Sequence, residues 1–113
     1  MKVIDIDRLS DVFDNDAAEI ADVVSLLVST ADDLAKRLAA ALEARDASEG
    51  VHLAHELKGA AGNAGAETLC ERSRVVEGAF RERNWRVARW ALADMQASLA
   101  VLHYETSELR GQG

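Results

Sequence analysis

The sequence predicts an all-α fold, an antiparallel four-helix bundle with a short additional N-terminal helix. The 113-residue chain has no proline, and apolar residues make up 49% of it, which is enough to build a core at this length. Apolar residues recur every three or four positions through most of the chain, and the breaks between these stretches are short. Because short connections favour antiparallel packing of consecutive helices, the pattern indicates a bundle.

The first predicted element is a short helix that follows a lead-in. Residues 1–6 form this lead-in, which is apolar in part and which we expect to be frayed. Asp7 is the expected N-cap of the short helix, whose apolar residues are Leu9, Val12 and Phe13. The Asp14-Asn15-Asp16 cluster is typical of a break followed by a new N-cap.

The remaining helices are predicted from their apolar spacing and from residues that favour helix ends. Thr30 and Ser48 are expected at helix starts, Gly65 at a helix end, and Asn84 as the N-cap of the last helix. The predicted helices are about 17–28, 30–45, 48–63, 66–83 and 85–107. Residues 108–113 are expected to form a frayed tail, and residues 1–113 to form a single domain.

Charge and cysteine content exclude several classes of function. The net charge of -7 argues against general binding to a nucleic-acid backbone. Cys70 is the only cysteine, so the chain has no internal disulfide and no cysteine cluster for a metal. The N-terminal sequence lacks the layout of a signal peptide, and no apolar run approaches membrane-spanning length. We therefore expect a cytoplasmic protein without nucleic-acid or membrane partners.

The helix over 48–63 has an unusual outward face. On a helical wheel its core side consists of Leu53, Leu57, Ala60, Ala61 and Ala64. His55 lies opposite, with Lys58 and Gly59 one turn further along and Gly62 two turns along. A glycine inside a helix costs about 1 kcal/mol relative to alanine, so these outward glycines suggest room kept for a large partner. An exposed imidazole is a nucleophile at neutral pH, and Lys58 supplies positive charge beside it, which suits a phosphoryl carrier.

These residues resemble the signature of the histidine-containing phosphotransfer (HPt) family. The signature is a histidine, any residue, leucine, lysine and glycine, with a further glycine downstream; it is matched by His55, Leu57, Lys58, Gly59 and Gly65. Helix order and lengths extend the resemblance over nearly the whole chain. The resemblance implies that His55 accepts a phosphoryl group on Nε2. It also implies that Lys58 stabilises the charge of this group and that Gly59 gives a receiver domain access.

Weaker candidates surround this motif. Family members often hold the other imidazole nitrogen with a polar residue on the following helix, and Glu77 occupies that position, although a carboxylate there would also repel a phosphoryl group. Arg81 shares a helix face with Arg74 and Glu77 and would add positive potential. The two arginines would equally suit a solvated face paired with Glu77. Phe13, with Leu9 and Val12, would either close the end of the bundle or offer an apolar surface to a partner, and we favour the surface.

The resemblance implies a phosphorelay intermediate that takes a phosphoryl group from one receiver aspartate and passes it to another. The expected partners are receiver domains of response regulators or hybrid histidine kinases, and the receiver is expected to supply Mg²⁺. With no glycine-rich phosphate loop, the chain is expected to be a carrier and not an enzyme, with no cofactor of its own. Two alternatives stay open: the phosphorylated domain of a chemotaxis-type histidine kinase, and a non-catalytic helical adaptor that binds receivers.

Two further readings concern histidines and tryptophans. His52 and His55 are spaced as metal ligands on one helix face, but metal sites in bundles also draw inward carboxylates from facing helices. The predicted core stripes contain none, so no metal site is expected. Trp85 and Trp90 are expected to pack at the edges of the bundle.

Overall fold

The computed structural model describes residues 2–14 and 16–111. These residues form five helices: α1 (Ile6–Val12), α2 (Ala17–Ala44), α3 (Ala47–Asn63), α4 (Glu67–Arg81) and α5 (Trp85–Gly111). No strand occurs among the described residues, so the predicted all-α class with a short first helix is confirmed. Over the same residues, no helix is both long enough and apolar enough to cross a membrane.

The four long helices surround one core. Helix α2 packs against α3 and α5, and α4 packs against the same two helices. Helices α3 and α5 occupy opposite corners, and their backbones do not approach each other closely within the described part of the chain. The largest fully buried side chains belong to all four helices and include Leu38, Leu53, Leu57, Phe80 and Leu102. Burial of apolar faces along the 42 Å length of the molecule is therefore what holds the helices together.

Helix α2 is one continuous helix of 28 residues, where the sequence predicted two helices with a break before Thr30. Thr30 is half-buried within it and does not act as an N-cap. The prediction of a break was wrong because the apolar spacing continues across this position: Leu27, Ala31 and Leu34 are all buried. Packing of this continuous face outweighs the local preference of threonine for a helix end.

Two helix starts differ from the predicted ones by one or two residues. Asp5 caps α1, and its carboxylate accepts a hydrogen bond from the backbone N–H of Arg8; the expected cap was Asp7. Asp46 caps α3 in place of Ser48. In both cases several capping residues lie close together in the sequence, and spacing alone does not choose between them.

The described parts of the lead-in and the tail pack against the bundle, where the sequence predicted frayed segments. Val3 and Ile4 are buried, and the backbone N–H of Val3 donates a 2.7 Å hydrogen bond to the Glu105 carboxylate. Helix α5 continues to Gly111, and the half-buried Leu109 packs against the core. The lead-in differs from the expectation because its apolar side chains join the core. Residues 1 and 112–113 of these segments lie outside the described residues, as does Asn15 of the predicted break.

Candidate functional site

Helix α3 presents His55 on the face opposite the core. Leu53, Leu57 and Ala61 are fully buried, while 68% of the His55 side chain is exposed. Ala54 is also fully buried, so the core side of the helix is wider than the predicted stripe. The helical wheel thus gives the correct orientation for the histidine.

The contact between α3 and α4 determines what His55 meets. A Cβ atom on Gly50 would lie 2.0 Å from the Phe80 ring, so the aromatic ring of α4 occupies the space that a glycine leaves free on α3. His55 lies five residues after Gly50 in α3. It faces Glu77, which lies three residues before Phe80 in α4. The two helices therefore run in opposite directions, in a register that brings the histidine and the carboxylate together.

Gly65 makes the tight turn that connects α3 to α4. It follows the helix end at Ala64 and has a φ of 75°, a left-handed conformation that glycine adopts readily. Its N–H donates to the carbonyl of Gly62, and the N–H of Ala66 donates to the carbonyl of Ala61. This pair of bonds is the Schellman motif, and it agrees with the expected helix stop at Gly65.

Glu77 is a buried carboxylate at the centre of an ion cluster whose other members are partly or largely exposed. Only 6% of its side chain is exposed, and its two carboxylate oxygens receive three partners. Oε1 lies 3.3 Å from Nδ1 of His55 and 3.0 Å from Nζ of Lys58, and Oε2 lies 2.6 Å from a guanidinium nitrogen of Arg81. Glu77 and Arg81 are one turn apart on α4, while His55 and Lys58 are one turn apart on α3.

The surroundings of Glu77 keep it ionised. Burial on its own raises the pKa of this carboxyl, but the hydrogen bonds from Arg81, Lys58 and His55 outweigh burial and lower the pKa to about 2. An ionised carboxylate only accepts hydrogen bonds, so the proton in the contact with His55 belongs to Nδ1. In the neutral imidazole Nε2 then carries the lone pair, and it lies on the far side of the ring from Glu77.

Lys58 lies closer to Glu77 than the sequence suggested. The motif implied a positive charge positioned for an anion on His55, whereas the structure places Nζ on the Glu77 carboxylate, with the lysine side chain 28% exposed. The long, flexible side chain of Lys58 reaches the buried Glu77 carboxylate on α4, a contact that residue spacing within α3 does not reveal. Two cations and one carboxylate leave the cluster with a net charge of +1 when His55 is neutral.

The two outward glycines differ in their surroundings. A Cβ atom added to Gly59 would meet nothing within 4 Å, whereas one added to Gly62 would lie 3.5 Å from Sγ of Cys70 on α4. This is an ordinary van der Waals distance, so Gly62 lies beside α4 but would still accommodate a Cβ atom. Gly59 alone of these two leaves free space beside His55.

The outlying candidates lie apart from the cluster. Arg74 pairs with Glu71 on the solvent side of α4 and does not reach Glu77, contrary to the reading of a shared paired face. Phe13 is half-buried and lines an apolar groove of about 360 Å³ between α1, α2 and α3. This groove also contains Ala60 and Ala64, so it runs alongside the helix that carries His55.

Sequence reasoning missed two features that shape the site. Gly50 was not singled out, although a buried helix glycine opposite an aromatic residue sets the register of α3 against α4. The link from Lys58 to Glu77 was also missed, because the two residues are far apart in the sequence. Within the described residues, no group of three or more His, Cys, Asp or Glu side chains could hold a metal ion.

One family model matches most of the chain, and one solved structure shares its fold. The model of the Hpt domain family matches residues 22–111. Among solved structures, the histidine-containing phosphotransfer protein B of Pseudomonas aeruginosa superimposes with a TM-score of 0.88 at 23% sequence identity, covering 98% of this chain and 96% of that one. At this identity the likeness establishes the fold. A comparison with curated proteins finds no match.

Proposed function

Because the chain belongs to the Hpt domain family, we propose that it accepts a phosphoryl group on His55 from one receiver aspartate and passes it to another. Proteins with this domain are phosphoryl-carrying intermediates of phosphorelays, without an ATP site of their own. One observation carries the assignment to His55: its imidazole is exposed, and its Nδ1 is held by a buried, ionised Glu77. This arrangement directs the Nε2 lone pair toward an approaching partner.

The proposed transfer is a displacement at phosphorus. The Nε2 lone pair attacks the phosphorus of the aspartyl phosphate, an N–P bond forms, the P–O bond to the aspartate breaks, and the aspartate leaves as a carboxylate. Nδ1 keeps its proton, so the phosphorylated ring becomes formally cationic. Glu77 stabilises this developing charge, as a carboxylate does for an imidazolium in a catalytic triad.

The imidazole ring separates the Glu77 carboxylate from the phosphoryl group, which limits the repulsion between them. The phosphoryl group is attached to Nε2, on the opposite side of the ring from the nitrogen that Glu77 contacts. Lys58 and Arg81 further balance the carboxylate. We propose that Lys58, one helical turn from His55, also compensates part of the phosphoryl charge, which is close to -2 near neutral pH by analogy with other phosphorylated side chains.

The partner in this proposal is a receiver domain. Gly59 leaves open space beside the imidazole, where the loops around a receiver aspartate must approach. The groove containing Phe13 provides apolar surface on the same side of α3 as Ala60. We propose that the receiver supplies the Mg²⁺ that neutralises charge during transfer, and that the relay operates in the cytoplasm.

The direct test is transfer from a phosphorylated receiver to matched histidine variants. A receiver domain phosphorylated with a small-molecule phosphodonor and Mg²⁺ is mixed with the wild-type chain, His55→Gln or His52→Gln, and acid-labile phosphate on the chain is measured. His52 is the matched control, since it is exposed on the same helix one turn away. We expect label on the wild type and on His52→Gln, and none on His55→Gln. Label on His55→Gln would refute the assignment.

Further arms separate the alternative functions. The chain incubated with labelled ATP and Mg²⁺ alone should give no label. Loading only by the ATP-binding domain of a chemotaxis-type kinase, and by no receiver, would favour the kinase-domain alternative. Binding to receivers with no phosphoryl uptake by the folded chain would favour the adaptor. A profile across all receiver domains of the source organism then identifies the partners and the direction of transfer.

A further inference from the structure

The outward side of α5 carries exposed aromatic residues at two separate points. Trp90 is 64% exposed and Tyr104 is 66% exposed, and they are fourteen residues apart on one helix. Trp90 does not pack at the bundle edge as expected, whereas Trp85 does, with its ring against Phe80 at a centroid distance of 5.7 Å. The exposed residues of this outward side are uncharged, and together they define the α5 face: Trp90, Ala93, Gln96, Ala97, Ala100 and Tyr104.

The charged and titratable residues within the same stretch point elsewhere. Asp94 forms an ion pair with Arg72 of α4, at 3.2 Å. His103 contacts Asp32 of α2, at 2.8 Å. These side chains reach sideways to the two neighbouring helices, so the α5 face between them stays free of charge over about 21 Å, at a rise of 1.5 Å per residue.

The charges that border the α5 face are of opposite sign at its two ends. Arg86 precedes it and Glu108 follows it. Arg89 pairs with Glu43 of α2, and the Glu105 carboxylate accepts hydrogen bonds from the backbone of Val3 and Ile4, so neither of these belongs to the border. The arrangement is symmetric about Ala97: Trp90 and Tyr104 are each seven residues away from it, and Arg86 and Glu108 are each eleven residues away. In an antiparallel pair of α5 helices crossing at Ala97, Trp90 of each copy would meet Tyr104 of the other, and Arg86 of each copy would meet Glu108 of the other.

We propose that the α5 face is a self-association surface whose occupant is a second copy of this chain, packed antiparallel about a two-fold axis at Ala97. Such an interface is isologous, so the same patch must complement itself. The α5 face fulfils this condition in both charge and aromatic placement. The alanines near the axis allow two helices to approach closely, and exposed aromatic residues are enriched where proteins associate.

The dimer is expected to be weak and reversible. A helix face about 21 Å long and about 10 Å wide buries a few hundred Å² per copy, less than the roughly 800 Å² per partner of a stable interface. Each copy also carries a net charge of -7, which opposes association. We therefore expect a dissociation constant on the order of 100 µM, in the range of transient interfaces.

The position of α5 makes this association compatible with phosphotransfer. Helix α5 lies at the corner of the bundle opposite α3, which carries His55. Both copies would keep their histidines accessible, so the dimer would be a carrier with two phosphorylation sites. Self-association and phosphoryl uptake are thus separate properties that can be measured separately.

The test is sedimentation equilibrium of the full chain from about 10 µM to about 1 mM, across the range of a transient interface. Ala97→Arg places like charges together at the axis and should leave a monomer. Val75→Arg is the control, because Val75 is an exposed apolar residue on α4, and it should dimerise as the wild type does. Circular dichroism verifies that each variant is folded.

A charge exchange tests the antiparallel geometry. Arg86→Glu and Glu108→Arg should each weaken the dimer about tenfold or more, whereas the double variant should restore it, because each exchanged charge again meets its opposite. A parallel dimer would not be restored. The proposal is refuted if the wild type stays monomeric up to about 1 mM, or if Ala97→Arg still dimerises. It is equally refuted if Ala97→Arg stays folded but slows transfer from a receiver, which would make this face a receiver contact.

Discussion

Replacing Glu77 with glutamine should remove a large, pH-dependent part of the folding stability. Glutamine keeps the shape of the side chain and removes its charge. The buried carboxylate has a pKa of about 2 instead of the ordinary 4.5; burial acts against this lowering, and the hydrogen bonds from Arg81, Lys58 and His55 produce it. At about 1.4 kcal/mol per pH unit, this difference corresponds to about 3 kcal/mol of folding free energy.

The sign of the pH dependence follows from the direction of the change. The folded protein binds the Glu77 proton less tightly than the unfolded chain, because its pKa is lower in the folded state. The contribution of Glu77 to stability is therefore complete above about pH 4.5 and is lost as the pH falls toward about 2. Glu77→Gln lacks this contribution at every pH.

The assay is urea unfolding of the wild type, Glu77→Gln and Glu71→Gln between about pH 3 and pH 7. We expect the wild type to exceed Glu77→Gln by about 3 kcal/mol near pH 6 and by progressively less below pH 4.5. Glu71 is the matched control on the same helix: it also pairs with an arginine, but it is exposed, so its replacement should have a far smaller effect. A difference between wild type and Glu77→Gln that does not vary with pH would show that Glu77 acts by packing alone.

Three further substitutions separate access, packing and charge. Gly59→Ala should stabilise the fold by about 0.5–1 kcal/mol, because the added Cβ atom meets nothing within 4 Å. It should nevertheless slow phosphoryl transfer from a receiver. A transfer rate equal to that of the wild type would mean that no partner docks over Gly59. Gly50→Ala should lower the melting temperature, because the added Cβ atom would overlap the Phe80 ring, and it should reduce the free energy of unfolding by about 1–3 kcal/mol. An unchanged melting temperature would contradict this packing. Lys58→Ala should reduce the transfer rate and shorten the phosphohistidine lifetime, while Glu77 keeps Arg81 as a partner and the chain stays folded. Unchanged transfer kinetics would remove Lys58 from the site.

Features that depend on one helix could be predicted from the sequence. The wheel placed His55 opposite Leu53 and Leu57, and the structure buries both leucines completely. Asn84 was predicted to cap the last helix, and its side chain accepts a hydrogen bond from the N–H of Val87. Local periodicity and capping chemistry act over a few residues, so the sequence contains all the information they need.

Features that depend on a second helix could not be predicted in the same way. Thr30 resembles a cap locally, but the buried face of α2 continues past it. Gly62 lies on the same side of the wheel as His55, yet it borders Cys70 of α4, which the wheel does not show. Lys58 was placed beside an anion on His55, and a carboxylate from α4 holds its Nζ. In each case the deciding contact comes from residues that are distant or that act collectively.

The glycines of α3 show why packing must be known before their roles can be separated. Gly50 and Gly59 cost the helix similar backbone entropy, and the sequence does not reveal which side chain of another helix, if any, fills the space beside each of them. One receives the Phe80 ring, and the other faces open space. The first contact fixes the register in which α4 lies against α3, and this register places Glu77 next to Nδ1 of His55. A larger residue at position 50 would therefore disturb the orientation of the histidine from five residues away, through the displacement of a helix and without touching the imidazole.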